Sequence, residues 1–324
     1  MTGSRIVVTR SRAESSLALL RRVGELSVPD HNRPFTRDEL LAAVRGASAL
    51  VTVLNDHVDD ELLDAAGPGL RIVANTAAGY DNLDLAELDR RGVIASNTPG
   101  ILGEATAELT LTLMLTLTRR LLEGDRLIRS KEDWEWDLGF MLGPGLRDAT
   151  VGIVGFGEIG RAVAVLLPAF GANVIFTSRR TVENPPPGSR QVTLPQLLEV
   201  ADIVSLHCPL TEQTHHLIDS AALGRMKPTA WLVNTARGPI IDEGALVEAL
   251  RTGSIAGAAL DVYEFEPRVL PALTSFENVV LTPHLGSATP ATRRRMADAA
   301  AANVVAALTG REVPNAVGQH SRVV

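Results

Sequence analysis

The chain has 324 residues, enough for two domains that each bury their own core. Hydrophobic residues make up 45% and aromatics only 4%, so Ala, Leu and Val carry the packing, as suits tightly packed parallel strands. A net charge of −7 excludes a general affinity for nucleic acid or anionic membrane, and a single cysteine, Cys208, excludes an internal disulfide or a Cys-based metal cluster.

Strand-like runs open the chain at 6–9, 49–54, 71–75 and 93–96, with helical patterns such as 13–23 and 59–66 between them. Alternation of this kind argues for a parallel sheet with helices on both faces. No apolar signal segment precedes the first strand, so a cytoplasmic protein is expected. The run 109–118 alternates Leu with Thr, the period of a strand, yet its flanks, Glu104 to Glu108 and Arg119 to Leu122, favour helix, and helix is the expectation. It is too short to span a bilayer. Trp134 and Trp136 suit either a domain or subunit contact or packing at a helix end.

A second α/β unit begins at Val151. Its first strand ends in Gly155-Phe156-Gly157-Glu158-Ile159-Gly160, a G-x-G-x-x-G followed by apolar residues at helical spacing. Gly155 suits the tight turn, Gly157 a close approach of backbone to pyrophosphate, and Gly160 close packing of helix on sheet. The helix N-terminus then offers free N–H groups and a positive dipole end to the anion. The next strand, 173–177, ends in Ser178-Arg179-Arg180, where an NAD-preferring site carries an acidic residue. Two guanidiniums and no carboxylate there predict NADPH as the preferred cofactor, with NADH as a lesser one.

Later strands are expected at 203–206, 231–234, 256–261 and 279–281, and a C-terminal helix from Thr289-Pro290 to Leu308, packed back on the first domain. Asn97-Thr98-Pro99-Gly100 and Thr282-Pro283 are the expected crossing points. They place a substrate domain at 1–98 and 284–324 around a dinucleotide-binding domain at 99–283.

Ligands of open α/β sheets sit beyond the carboxyl ends of the strands, which singles out Arg237, Glu266 and His284. Arg237 supplies a planar fork for a carboxylate. His284 is a candidate general acid because imidazole titrates near neutral pH, and Glu266 is suited to hydrogen-bond and orient the ring. His207, His215 and His216 lie near Cys208 but complete no metal-ligand spacing, and no metal is expected.

In these segments, together with Ala77-Ala78-Gly79-Tyr80-Asp81 and Ala105-Thr106-Ala107-Glu108, the chain resembles the D-isomer-specific 2-hydroxyacid dehydrogenases over nearly its whole length. Residues 138–143 and 283–289 look like the glyoxylate/hydroxypyruvate reductase branch. The resemblance implies an α/β chain in which a Rossmann cofactor domain is inserted into a flavodoxin-like substrate domain, both doubly wound parallel sheets, with the active site in the cleft between them. It implies reduction of small 2-oxo acids by a homodimer, with the helix 105–122 as a candidate contact. Along the cofactor it would set Cys208, Pro209, Thr214, Thr235, Ala236, Arg237, His284 and Gly286, with Asp261 on the carboxamide. Around the substrate it would set Leu54, Ala78, Gly79, Arg237, His284 and Ser287. Two other readings stay open: another family member such as a phosphoglycerate dehydrogenase, or a dinucleotide-sensing protein of the corepressor kind. Against the first stands the short stretch after Leu308, and against the second the lack of a basic or disordered tail.

Overall fold

The computed structural model describes residues 3–10, 13–31 and 33–320, and the chain divides into two compact units. The first comprises Met1–Leu102 and Ala288–Val324, the second Gly103–Ser287.

In the first unit strands and helices alternate: β1 (Arg5–Val8), α1 (Glu14–Arg21), β2 (Glu25–Ser27), α2 (Arg37–Ala43), β3 (Ala49–Thr52), α3 (Asp60–Ala66), β4 (Ile72–Asn75), α4 (Leu85–Arg90) and β5 (Ile94–Ser96). The parallel order β2-β1-β3-β4-β5 is that of flavodoxin-like sheets. The central strands are apolar without alternation because both faces are covered. Val7, Leu50 and Val73 pack on one side, and Ile6, Val8, Ala49 and Ile72 on the other. Helices begin where a carboxylate or hydroxyl can take an orphan amide: Asp59 accepts from Leu62 N at 3.0 Å and Asp84 from Glu87 N at 3.0 Å.

The second unit holds α5 (Gly103–Thr118), α6 (Leu121–Ser130), β6 (Thr150–Val154), α7 (Glu158–Leu166), β7 (Asn173–Thr177), β8 (Ser189–Gln191), α8 (Leu194–Val200), β9 (Ile203–Leu206), α9 (Ser220–Leu223), β10 (Trp231–Asn234), α10 (Glu243–Thr252), β11 (Gly257–Leu260) and β12 (Val279–Leu281). Its sheet runs β12-β11-β10-β9-β6-β7-β8, all parallel. The order reverses between β6 and β9, the switch point at which such sheets bind dinucleotides. The chain then returns to the first unit through α11 (Pro290–Leu308) and β13 (Ala316–Val317), which pairs antiparallel with β5. Thr289 caps α11 by accepting from Thr292 N at 3.1 Å, and Ala300, Ala301 and Val304 bury its inner face against the first sheet.

Two expectations need correction. The helix expected over 105–122 is two helices, because Arg120 takes a left-handed φ of 52° and ends the run at Thr118. The unit boundaries fall four residues later than the proline signals suggested, after Leu102 and Ser287. Local bonds explain both shifts. Gly103 N donates to the Glu158 carboxylate at 3.1 Å, and Leu285 N and Gly286 N donate to Asp261. His284 therefore belongs to the dinucleotide-binding unit, not to the substrate unit.

Candidate active site

The glycine turn follows β6. Gly155 has a φ of 94°, and a Cβ there would stand 2.4 Å from the Cys208 amide nitrogen, so only glycine serves. A Cβ on Gly160 would meet the Gly155 carbonyl oxygen at 2.2 Å, which is the close helix-to-strand contact the motif implies. By contrast a Cβ on Gly157 would meet nothing within 4 Å, and no side chain caps the N-terminus of α7. The turn thus presents open space and the first amides of a nine-residue helix, which fits a dinucleotide pyrophosphate.

Two side chains of the motif face elsewhere. Phe156 is buried and stacks on Phe176 with ring centroids 3.6 Å apart, and the Glu158 carboxylate reaches the N-terminus of α5. Any contact they make with a phosphate comes from backbone. Ile159 packs against the core cluster of α5 and α7.

Beyond β7, Ser178 is half-buried while Arg179 and Arg180 are exposed. Gln191 on β8 holds this turn: its amide donates to Arg180 O at 3.0 Å and its oxygen accepts from Val182 N at 3.0 Å. Arg179 also lies close enough to Cys208 to favour its thiolate, but burial dominates and pushes the thiol up to about 11. A protonated, buried thiol is a lining group, not a nucleophile. Past it, the Thr214 hydroxyl closes the loop by donating to Pro209 O at 2.6 Å and accepting from Thr211 N at 2.8 Å.

At the ends of β10, β11 and β12 the remaining candidates come together within one unit. Asn234 shapes the first turn: its side-chain oxygen accepts from Ala236 N at 3.0 Å and its amide donates to Arg237 O at 2.9 Å. Arg237, half-buried, donates from Nη1 to Ala236 O at 2.8 Å. Gly238 then lies against the backbone after β11, where a Cβ would meet Tyr263 C at 1.9 Å. Thr235 shares a 2.9 Å hydroxyl hydrogen bond with Thr110 of α5.

Asp261 is fully buried and does more than its expected contact requires. Its Oδ1 accepts from the Thr282 hydroxyl at 2.6 Å and Leu285 N at 2.7 Å, and its Oδ2 from Gly286 N at 2.8 Å. His284 sits in the middle of this loop with a φ of 55°, its amide donating to Asp261 O at 2.9 Å. A non-glycine residue persists in that conformation when its surroundings over-determine it, as Asp261 does here. The His284 ring pairs through Nδ1 with Glu266 Oε2 at 2.9 Å, and Glu266 Oε1 accepts from Tyr263 N at 3.1 Å. Ring and carboxylate are both about one-third exposed, at 31% and 27%, so the pair is open to a small ligand while its geometry is held from behind.

In the first unit, Leu54 is half-buried just after β3, and Ala78 and Gly79 follow β4. Their turn is tied by Asn97, which donates to Ala78 O at 2.7 Å, and by Asn75, which donates to Gly79 O at 3.0 Å. Ser287 closes the second unit, half-buried.

Some of what builds the site was not visible in the sequence: Asn234, and the bonds by which Asp261, expected only as a cofactor contact, braces the 282–286 loop. Glu243, Glu264 and His216 also form a cluster behind Glu266 whose members lie far apart in the chain. Among the described residues no group of His, Cys, Asp and Glu could hold a metal ion, and no helix is long and apolar enough to cross a membrane.

Known proteins resemble this arrangement over the whole chain. The family described as D-isomer specific 2-hydroxyacid dehydrogenase, NAD binding domain, matches residues 111–286. The glyoxylate reductase of Aeropyrum pernix is 46% identical, with 98% of this chain and 97% of that protein covered. That of Thermofilum pendens is 43% identical, covering 98% and 96%. Among solved structures, the NADPH-dependent glyoxylate/hydroxypyruvate reductase of Sinorhizobium meliloti in complex with NADP and malonate superposes with a TM-score of 0.85. It is 33% identical, and 99% of each chain is covered.

Proposed function

This chain belongs to the D-isomer-specific 2-hydroxyacid dehydrogenase family, and on that premise we propose that it reduces glyoxylate to glycolate and hydroxypyruvate to D-glycerate. In this reading NADPH is the preferred cofactor, NADH the lesser one, and His284 the general acid. The observation that carries it is the His284–Glu266 pair, held by Asp261 and packed beside the Arg237 turn at the carboxyl edge of the sheet.

A 2-oxo acid presents a carboxylate beside a carbonyl, so the site needs a planar cation and a proton donor. Arg237 takes the carboxylate bidentately and polarises the carbonyl as charge develops. Ala78 and Gly79, their carbonyls engaged by Asn97 and Asn75 and their side chains small, are the amide donors assigned to the carboxylate in this reading. Leu54 and Ser287 complete the substrate contacts. When bound, the reduced nicotinamide supplies the hydride. With Nδ1 given to Glu266, His284 delivers the Nε2 proton to the carbonyl oxygen. Asp261 braces the His284 loop with both oxygens, and in this reading it would also hold the carboxamide, as in the family the chain resembles.

Gly155 to Gly160 would hold the cofactor, with Cys208, Pro209, Thr214, Thr235, Ala236 and Gly286 as further contacts, and Ser178, Arg179 and Arg180 would hold the 2′-phosphate of NADPH. The assay is initial-rate oxidation of NADPH and of NADH with glyoxylate, hydroxypyruvate, pyruvate and 3-phosphohydroxypyruvate. Glyoxylate or hydroxypyruvate with NADPH is expected to be fastest. Replacing both Arg179 and Arg180 by Ser removes charge-assisted hydrogen bonds each worth about 1.5–3 kcal/mol, so kcat/KM for NADPH should fall at least ~10-fold while that for NADH barely moves. Equal or better efficiency of the unaltered enzyme with NADH would remove the NADPH assignment. Fastest turnover of 3-phosphohydroxypyruvate would favour a phosphoglycerate dehydrogenase, and cofactor binding without turnover a sensing protein. The protein acts in this proposal as a cytoplasmic homodimer.

A further inference from the structure

Behind the His284–Glu266 pair lies a second histidine–carboxylate pair with no part in the chemistry so far. His216 Nε2 is 2.8 Å from Glu264 Oε1, and Glu264 is bound reciprocally to Glu243 at the start of α10. Glu264 N donates to Glu243 Oε1 at 2.8 Å, and Glu243 N donates to Glu264 Oε2 at 3.3 Å. Glu243 is only 3% exposed, and its Oε2 is buried without a partner. Burial first, and less strongly the charges of Glu264 and Glu266, push its carboxyl up against the lowering effect of the Glu264 amide. His216 is fixed in turn: it adopts a left-handed φ of 50°, and its amide donates to Pro239 O at 2.8 Å, two residues past Arg237.

The consequence runs through adjacent amides. Tyr263 N orients the Glu266 carboxylate, and the next amide, Glu264 N, is the one Glu243 holds. The peptide between them is wedged against Gly238. Glu264 is held by His216 and Glu243, and Glu266, two residues on, pairs with His284. We propose that Glu264, anchored by His216 and Glu243, is a positioning residue that sets the reach of Glu266 to His284, an inference that rests on the reductive reading above. It acts through Glu266 and does not touch substrate or cofactor.

The test is the isosteric Glu264→Gln, made in the unaltered enzyme and in a His284→Gln background, assayed with glyoxylate and NADPH. An ångström of misplacement can cost up to about 10²-fold, so a loosened Glu266 should lower kcat by about 10-fold with KM and the NADPH dissociation constant within ~2-fold. In the His284→Gln background the same change should cost less than ~2-fold, because the group it positions is gone. If Glu264→Gln does not fold, His216→Asn serves instead, since Asn tolerates the left-handed backbone but cannot reach Glu264. Unchanged kcat, or the same loss in both backgrounds, overturns the inference while leaving the reductase reading intact. An unaltered enzyme inactive on every 2-oxo acid overturns the reading, and the inference with it.

Discussion

His207 and His284 both leave the carboxyl edge of the second sheet, but their surroundings oppose each other. The His284 ring faces a carboxylate and is partly open, whereas His207 is 9% exposed, shares only a 2.8 Å contact with the Ser205 hydroxyl through Nε2, and has a buried Nδ1 without a partner. Burial drives the His207 pKa from its ordinary 6.5 to about 3. Below its ordinary pKa the unfolded chain therefore binds a proton that the folded chain refuses, and stability falls as pH falls through that window, by roughly 1.4 kcal/mol per unit. His207→Gln should flatten this loss; urea unfolding at about pH 7 and about pH 4 measures it, and an identical acid sensitivity in both proteins would discard the cause. For His284 the expectation is catalytic. His284→Gln should lower kcat by about 10²–10⁴-fold while NADPH binding persists, because the substitution removes the proton donor and leaves the glycine turn alone. Near-normal turnover would exclude it as the acid. Arg237, Glu266 and His284 were singled out in the sequence because each lies in the loop that follows an apolar strand. His216, Glu243 and Glu264 were not, because they meet only after β10, β11 and the 209–217 loop are placed, and two of their bonds use backbone amides.

The strands legible from sequence are those buried on both faces, where apolar residues run without a break. The ones missed, β2, β8 and β13, have three, three and two residues and sit at or near sheet edges, where partial exposure erases the pattern. The break between α5 and α6 was equally hidden, since a left-handed arginine carries no sequence mark of its own. The βα turn shows the reverse case, in which three glycines of one motif have separable physical duties. Gly157→Ala adds a methyl into open space at a φ of −80° and should leave thermal stability unchanged. That methyl stands where the pyrophosphate would lie, so NADPH should bind at least ~10-fold more weakly. Gly160→Ala instead drives a Cβ onto the Gly155 carbonyl and should cost about 1–3 kcal/mol of stability even without cofactor. Thermal melts beside fluorescence titration with NADPH separate the two, and wild-type affinity in Gly157→Ala would remove the phosphate from this turn.

The second unit carries apolar surface that its own core does not use. No residue of α6 is buried, and Leu121 and Ile128 on it are 60% and 59% exposed. The following segment adds Trp136 at 72%, Leu138 at 86% and Leu142 at 69%, with Trp134 stacked on Phe140 at 5.7 Å. Scattered exposed leucines are ordinary, but a helix with no buried residue followed by further exposed apolar side chains is the face to test for the homodimer proposed above. In the proposed homodimer a twofold axis would set this patch against itself. Light scattering at micromolar concentration is therefore expected to give a dimer whose melting temperature rises with concentration. Leu121→Glu combined with Ile128→Glu should give a monomer that retains the fold of the nucleotide-binding sheet, since neither side chain belongs to its core. A monomeric unaltered protein, or a double variant that stays dimeric, would mean that this face is not the contact.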